Sequence, residues 1–185
     1  NLGNALFDLG QVLEAEAAIA ECLKREPAME QALMLAARCA VRLGKEAEAR
    51  ERFAALLRQY PAHFSGWLAA GNLCRQMGLV AQAQLSYRQA VAAAPGRWEG
   101  LLSLARVLED TGRNDEAAVA YHQALIVAGQ KPGGVRNVHK MMARYRVERG
   151  DSARALESLR QALGIMRVEQ PEPDANDRAD LQIDL

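Results

Sequence analysis

The chain has 185 residues, half of them hydrophobic, with 23 basic residues balanced by 23 acidic ones. Zero formal charge argues against the basic excess that marks nucleic-acid or anionic-membrane surfaces, and no apolar run reaches membrane-spanning length. Aromatics make up only 5% and Ala is the commonest residue, which speaks against a sandwich of aromatic and β-branched strands.

Read from the start, the sequence repeats. Gly10, Gly44, Gly78 and Gly112 recur at one constant interval, and Pro27, Pro61 and Pro95 recur at the same interval. An Ala stands five places after each Gly (Ala15, Ala49, Ala83, Ala117, and Ala155 after Gly150), and a larger residue follows four places later: Ile19, Phe53, Tyr87, Tyr121 and Leu159. This spacing predicts a helix, a turn at Gly, a second helix, and a stop at Pro. Gly reaches positive φ after a helix end, and Pro lacks the donor needed to continue one. Small Ala lets paired helices approach while the larger residue one turn on fills the layer beyond. A single pair cannot bury its apolar face alone, so neighbours must stack.

The fifth Gly, Gly150, comes four places later than that interval would put it, which marks a short insertion within Ala128 to Val135. The final segment, Met166 to Leu185, holds Pro171, Pro173, six acidic and two basic residues, a charge of −4 beside a body of +4. Residues 168–178 read as an acidic Pro-containing linker and 179–185 as the start of a further or capping helix. The chain opens at Asn1 without Met or an apolar leader and reads as a fragment. Arg outnumbers Lys 19 to 4, which with the Ala content points to a GC-rich bacterial source.

Trp67, Ala70, Gly71, Ala83, Tyr87, Ala90 and Pro95, with Leu2, Gly3, Ala15 and Pro27 in the same register, resemble the tetratricopeptide repeat. The resemblance implies an all-α, right-handed superhelical solenoid of about five helix-turn-helix units over residues 1–167, with units 1–29, 30–63, 64–97, 98–131 and 136–167, plus a C-terminal cap or partial helix. Departures are Gly129 where Pro is expected, His139 in the aromatic slot, and Arg146 at an apolar place.

The resemblance also implies a concave groove lined by the first helices, and carries ligand-contacting places onto this chain by register. The ninth place is Asn4, Arg38, Asn72, Arg106 and Arg144; Arg42, Arg75 and Lys140 add cations nearby, with Glu99, Glu109 and Asp110 as an acidic counterpoint. Asn can hold a peptide backbone through its amide, and Arg forks favour carboxylates and phosphates. Met34, Leu35, Ser65 and Ala69 stand where the carboxylate-clamp and Asn-ladder subtypes would need other residues, so neither specialised mode transfers.

No motif for catalysis, phosphate cradling or metal binding is present, and no cofactor is implied. His63 reads as a solvated linker residue, His122 as helix surface and His139 as packing. Cys22, Cys39 and Cys74 have no paired spacing and read as buried free thiols. Met141 and Met142 read as core filling and Tyr60 as junction packing. The reading is therefore a non-catalytic scaffold or adaptor that binds an extended or helical acidic segment. The competing roles are a substrate-recruiting arm of a larger bacterial glycosyltransferase, sulfotransferase or methyltransferase, and an assembly or homo-oligomerisation module. The expected partner is a protein or peptide, with no nucleic acid and no membrane, in the cytoplasm unless a leader directs export. The acidic tail could occupy the basic groove, in cis or in a neighbouring molecule.

Overall fold

The structure is a computed structural model that describes residues 2–130 and 133–169. Among the described residues it contains ten α-helices and no strand. They are α1 (Leu2–Asp8), α2 (Val12–Arg25), α3 (Glu30–Arg42), α4 (Glu46–Gln59), α5 (Phe64–Gln76), α6 (Val80–Ala93), α7 (Trp98–Asp110), α8 (Asn114–Ala128), α9 (Gly134–Glu148) and α10 (Ser152–Glu169). The chain divides into two compact units, residues 1–123 and 124–185.

In the first unit the helices pair as the repeat predicts. Gly10, Gly44, Gly78 and Gly112 all have φ between 70° and 81°, a left-handed conformation that Cβ disfavours in other residues. Each lets the next amide turn back to the helix it follows: Lys45 N–H reaches the Ala40 carbonyl at 2.9 Å, and Leu79 N–H reaches Cys74 at 2.8 Å. The carbonyls that a helix end leaves without intrahelical donors are thereby satisfied. At the Pro junctions α2 ends at Arg25, α4 at Gln59 and α6 at Ala93.

The core is a series of clusters, each joining a helix pair to the first helix of the next. Phe7, Ala15 and Ile19 pack with Ala32, Leu35, Ala36 and Cys39. Ala37, Ala49 and Phe53 pack with Leu73, and Cys74, Ala83 and Tyr87 with Val107. Burial therefore couples nearest neighbours, as stacked repeats require. Ala15, Ala49 and Ala83 are completely buried, so the recurrent Ala does sit where helices approach most closely.

In the second unit α8 reaches Ala128, and the insertion leads through a left-handed Gly133 (φ 68°) into α9. Helix α10 packs on α9 and extends to Glu169, beyond the expected end of the array at 167. The expected linker beyond that point and the helix at 179–185 lie outside the described residues. Leu159 departs from its expected packing role: it is 40% exposed, and Ser158 is the buried residue instead. Arg146 explains the exchange. It crosses from α9 to donate to Ser158 Oγ at 2.7 Å, and a buried guanidinium N–H is better matched by a hydroxyl than by a methyl group.

Candidate functional site

Each first helix of the unit 1–123 buries a small residue at one shared register position. Gly3, Ala37, Gly71 and Ala105 are buried, and Gly71 lies against Tyr87 of α6. The following residue lies about 100° around the helix, so Asn4, Arg38 and Asn72 are exposed and Arg106 is half-buried. The periodicity of the helix thus turns a small-residue core position into a neighbouring polar surface position.

Arg38 and Arg42 are one helical turn apart on α3, and both lie over the Phe7 ring, with guanidinium carbons 4.4 and 5.5 Å from its centroid. Stacking on an aromatic face favours the cation and leaves the in-plane N–H edge open to an acceptor. Among the described residues neither Arg makes an ion pair.

A second cluster forms around the Tyr87 hydroxyl, which α6 carries to the first-helix side. The phenol donates to Asn72 Oδ1 at 2.8 Å, which commits the amide oxygen and leaves the Asn72 NH2 as an outward donor. Burial pushes the Tyr87 phenol up, while the charges of Arg75, which also hydrogen-bonds it, and of Arg106 pull partly back. Asn72 and Arg75 of α5 therefore meet at this oxygen, and Arg106 of the next first helix acts on it through its charge. The acidic counterpoint is engaged locally: Glu109 accepts from the Tyr121 hydroxyl at 2.7 Å, and Glu99 pairs with Arg97 at 2.9 Å.

Lys140 and Arg144 belong to the second unit, on α9. Both are exposed, and Arg144 pairs with Glu148 one turn along its own helix at 3.3 Å. In the same helix His139 is 8% exposed. Burial and the Arg146 charge hold its imidazole below the ordinary value.

His63 is a helix cap and not a solvated linker residue: its Nδ1 accepts from Gly66 N–H at 2.7 Å, and Nε2 faces Glu30 at 3.3 Å. The first amides of α5 need an acceptor, and at this junction the imidazole supplies it. His122 is exposed. Tyr60, at the second Pro junction, donates its hydroxyl to the Ala28 carbonyl at the first. Cys39 and Cys74 are buried and Cys22 half-buried, all as free thiols. Met142 is buried, whereas Met141 is 41% exposed. Among the described residues no group of His, Cys, Asp and Glu could hold a metal ion, and no helix is long and apolar enough to cross a membrane.

Residue spacing assigned Tyr87 to packing and did not single out Phe7. Both position the polar residues beside them, and the available signal was an aromatic one turn from, or paired in register with, an Arg or Asn.

The tetratricopeptide repeat model matches residues 1–64 and 68–134. No curated protein matches the chain. Among solved structures, a crystal structure of MamA aligns with a TM-score of 0.70 at 17% identity, covering 91% of this chain and 96% of that one. TTC0263 of Thermus thermophilus, a thermophilic tetratricopeptide repeat protein, aligns at 0.66 and 23% identity, covering 97% and 93%. YrrB, described as a tetratricopeptide repeat protein with an unusual peptide-binding site, aligns at 0.63 and 20% identity, covering 95% and 85%. With the repeat model matched over most of its length and the Gly, Ala and aromatic positions serving the turns and packing that define the repeat, the chain belongs to the tetratricopeptide repeat family.

Proposed function

We propose that this chain is a non-catalytic binding scaffold whose first-helix surface in the unit 1–123 takes an extended or helical protein segment carrying acidic side chains or a terminal carboxylate. The observation that carries the reading is the grouping of Asn72 and Arg75 at the Tyr87 hydroxyl, with the Arg106 charge of the next first helix acting on it. The Asn amide offers a donor to a peptide carbonyl, and the two guanidiniums offer charge to a carboxylate beside it. Arg38 and Arg42, stacked on Phe7, add a second cationic point. Asn4 belongs to the same register, whereas Lys140 and Arg144 would act through the second unit. The likeness to YrrB, whose description names a peptide-binding site, supports the class of ligand.

The test compares the wild-type chain with Arg38, Arg75 and Arg106 replaced together by Ala. Binding of a Glu-rich acetylated peptide is measured against its Gln-substituted counterpart over a range of salt concentrations. The wild type should prefer the acidic peptide and lose affinity with salt, and the triple variant should lose both properties. Equal affinity of the two proteins at low salt would refute the reading.

A further inference from the structure

Successive second helices face one another across seams, and in two of these polar side chains bridge the gap. Between α2 and α4, Glu16 pairs with Lys45 at 3.0 Å and with Arg52 at 2.9 Å, while Arg52 also donates to the Ala36 carbonyl at 2.8 Å. At the entry of α8, Arg113 donates to Gln84 of α6 at 3.1 Å. In the repeat register Lys45 is equivalent to Arg113, and Glu16 to Gln84.

The seam between α4 and α6 has neither part. Leu79 stands at the cation's place, Arg50 at the acceptor's, and Ser86 replaces Arg52. A cleft of about 530 Å³ opens here, with Phe53, Leu57, Trp67, Leu73 and Cys74 in its floor and walls. It uses the face of α5 that carries Trp67, Ala70 and Cys74, turned away from Asn72, and so is separate from the site proposed above.

We propose that this cleft is a second binding site, taking one bulky apolar side chain of a partner peptide whose neighbouring carboxylate meets Arg50. The apolar floor selects the anchor. Among the described residues Arg50 makes no ion pair, while its counterpart Glu16 makes two. Arg58, two turns along the same rim, donates only to the Ala54 carbonyl of its own helix. Glu51 also lines the cleft and disfavours a densely anionic ligand, which limits the match to an isolated carboxylate. The cleft is open on its solvent side, and the exposed rim residues Ala47 and Ala54 are small, so a partner backbone can lie close. A free small molecule would be enclosed over much less of its surface than in a small-ligand pocket.

The test uses the full chain with Trp98→Phe, which leaves Trp67 as the sole tryptophan and as reporter. The probe is an acetylated helical peptide with one Phe and a Glu one turn away, with a version carrying Ala for Phe and another carrying Gln for Glu. The Phe and Glu peptide should give a saturable change in Trp67 emission. Ser86→Arg, which installs the guanidinium that closes the preceding seam, should weaken binding by about tenfold or more. Ala54→Leu narrows the mouth from an exposed position and should act in the same direction, so the result does not depend on S86R folding. Arg50→Gln should weaken binding severalfold and abolish the difference between the Glu and Gln peptides. The triple variant at Arg38, Arg75 and Arg106 should bind this probe unchanged, which keeps the two sites distinguishable. No saturable change, equal binding of the Ala version, or unaltered affinity in folded A54L would overturn the proposal. Decanoate binding that is tighter than the peptide's and displaces it would also overturn it, assigning the cleft to a small amphiphile.

Discussion

Gly71→Ala should destabilise the helix pair α5/α6, although Ala is the better helix former. A Cβ at this position would sit 2.5 Å from Tyr87 Cε1 and 2.7 Å from Cδ1, well inside van der Waals contact. The ring cannot step aside cheaply: it is 1% exposed, packed with Cys74, Ala83 and Val107, and tied to Asn72 through its hydroxyl. Replacing Gly by Ala in a helix gains about 1 kcal/mol. Overpacking costs about 1–3 kcal/mol, and a displaced phenol forfeits about 1 kcal/mol of hydrogen bonding. The net expectation is a loss of about 1–3 kcal/mol. Urea unfolding followed by far-ultraviolet circular dichroism measures the whole transition, and amide hydrogen exchange locates the loss, since stacked repeats can open in parts. In the exchange data the amides of α5 and α6 should lose the most protection. Adding Tyr87→Leu to G71A should cost less than the sum of the single changes, because the clash needs both partners. A G71A protein as stable as the wild type, or an additive double variant, would refute the close-approach argument.

Gly78→Ala, at φ 72° with open space around it, should cost about 1 kcal/mol from backbone conformation alone, whereas Gly96→Ala, also in open space but without positive φ, should be close to neutral in the same urea experiment. Burial alone would raise the Glu16 carboxyl, yet hydrogen bonds and charge from Lys45 and Arg52 outweigh it and hold it below 4.5. Its contribution is therefore complete above the ordinary carboxylate value and lost as pH falls through the lowered one, so Glu16→Gln should remove about 1 kcal/mol at neutral pH and little in strong acid, as read from denaturation midpoints at several pH values. His139 titrates below the ordinary 6.5 because burial and Arg146 disfavour its cation; the unfolded chain then takes up the proton first, and stability falls as pH drops below 6.5. His139→Gln should flatten that part of the pH profile, and an unchanged slope would show that other groups cause it.

Much of the fold was legible because its signals are local. A Gly once in every repeat fixes a turn through its own φ, a Pro stops a helix through its missing donor, and Ala at a constant offset marks close packing. Legibility failed where a residue's role depended on what another helix brings to it. His63 lies in a junction by sequence and becomes a cap only because Gly66 N–H faces its ring. Leu159 keeps the register of Phe53 and Tyr87, but Arg146 makes a polar contact to Ser158 beside it. Arg38 and Asn72 share a register position, yet one stacks on an aromatic face while the other has its amide oriented by a phenol.

The element order, the turns and the nearest-neighbour stacking can be read from the residues alone, since each follows from backbone freedom, helix periodicity and the size of one side chain. Which charges are engaged and which are open is set by packing, because it depends on distances between helices far apart in the chain. Glu16 and Arg50 occupy equivalent places in consecutive repeats. One closes its seam with Lys45 and Arg52, and the other borders an open cleft. The zero net charge thus averages over side chains that packing divides into paired staples and exposed cations.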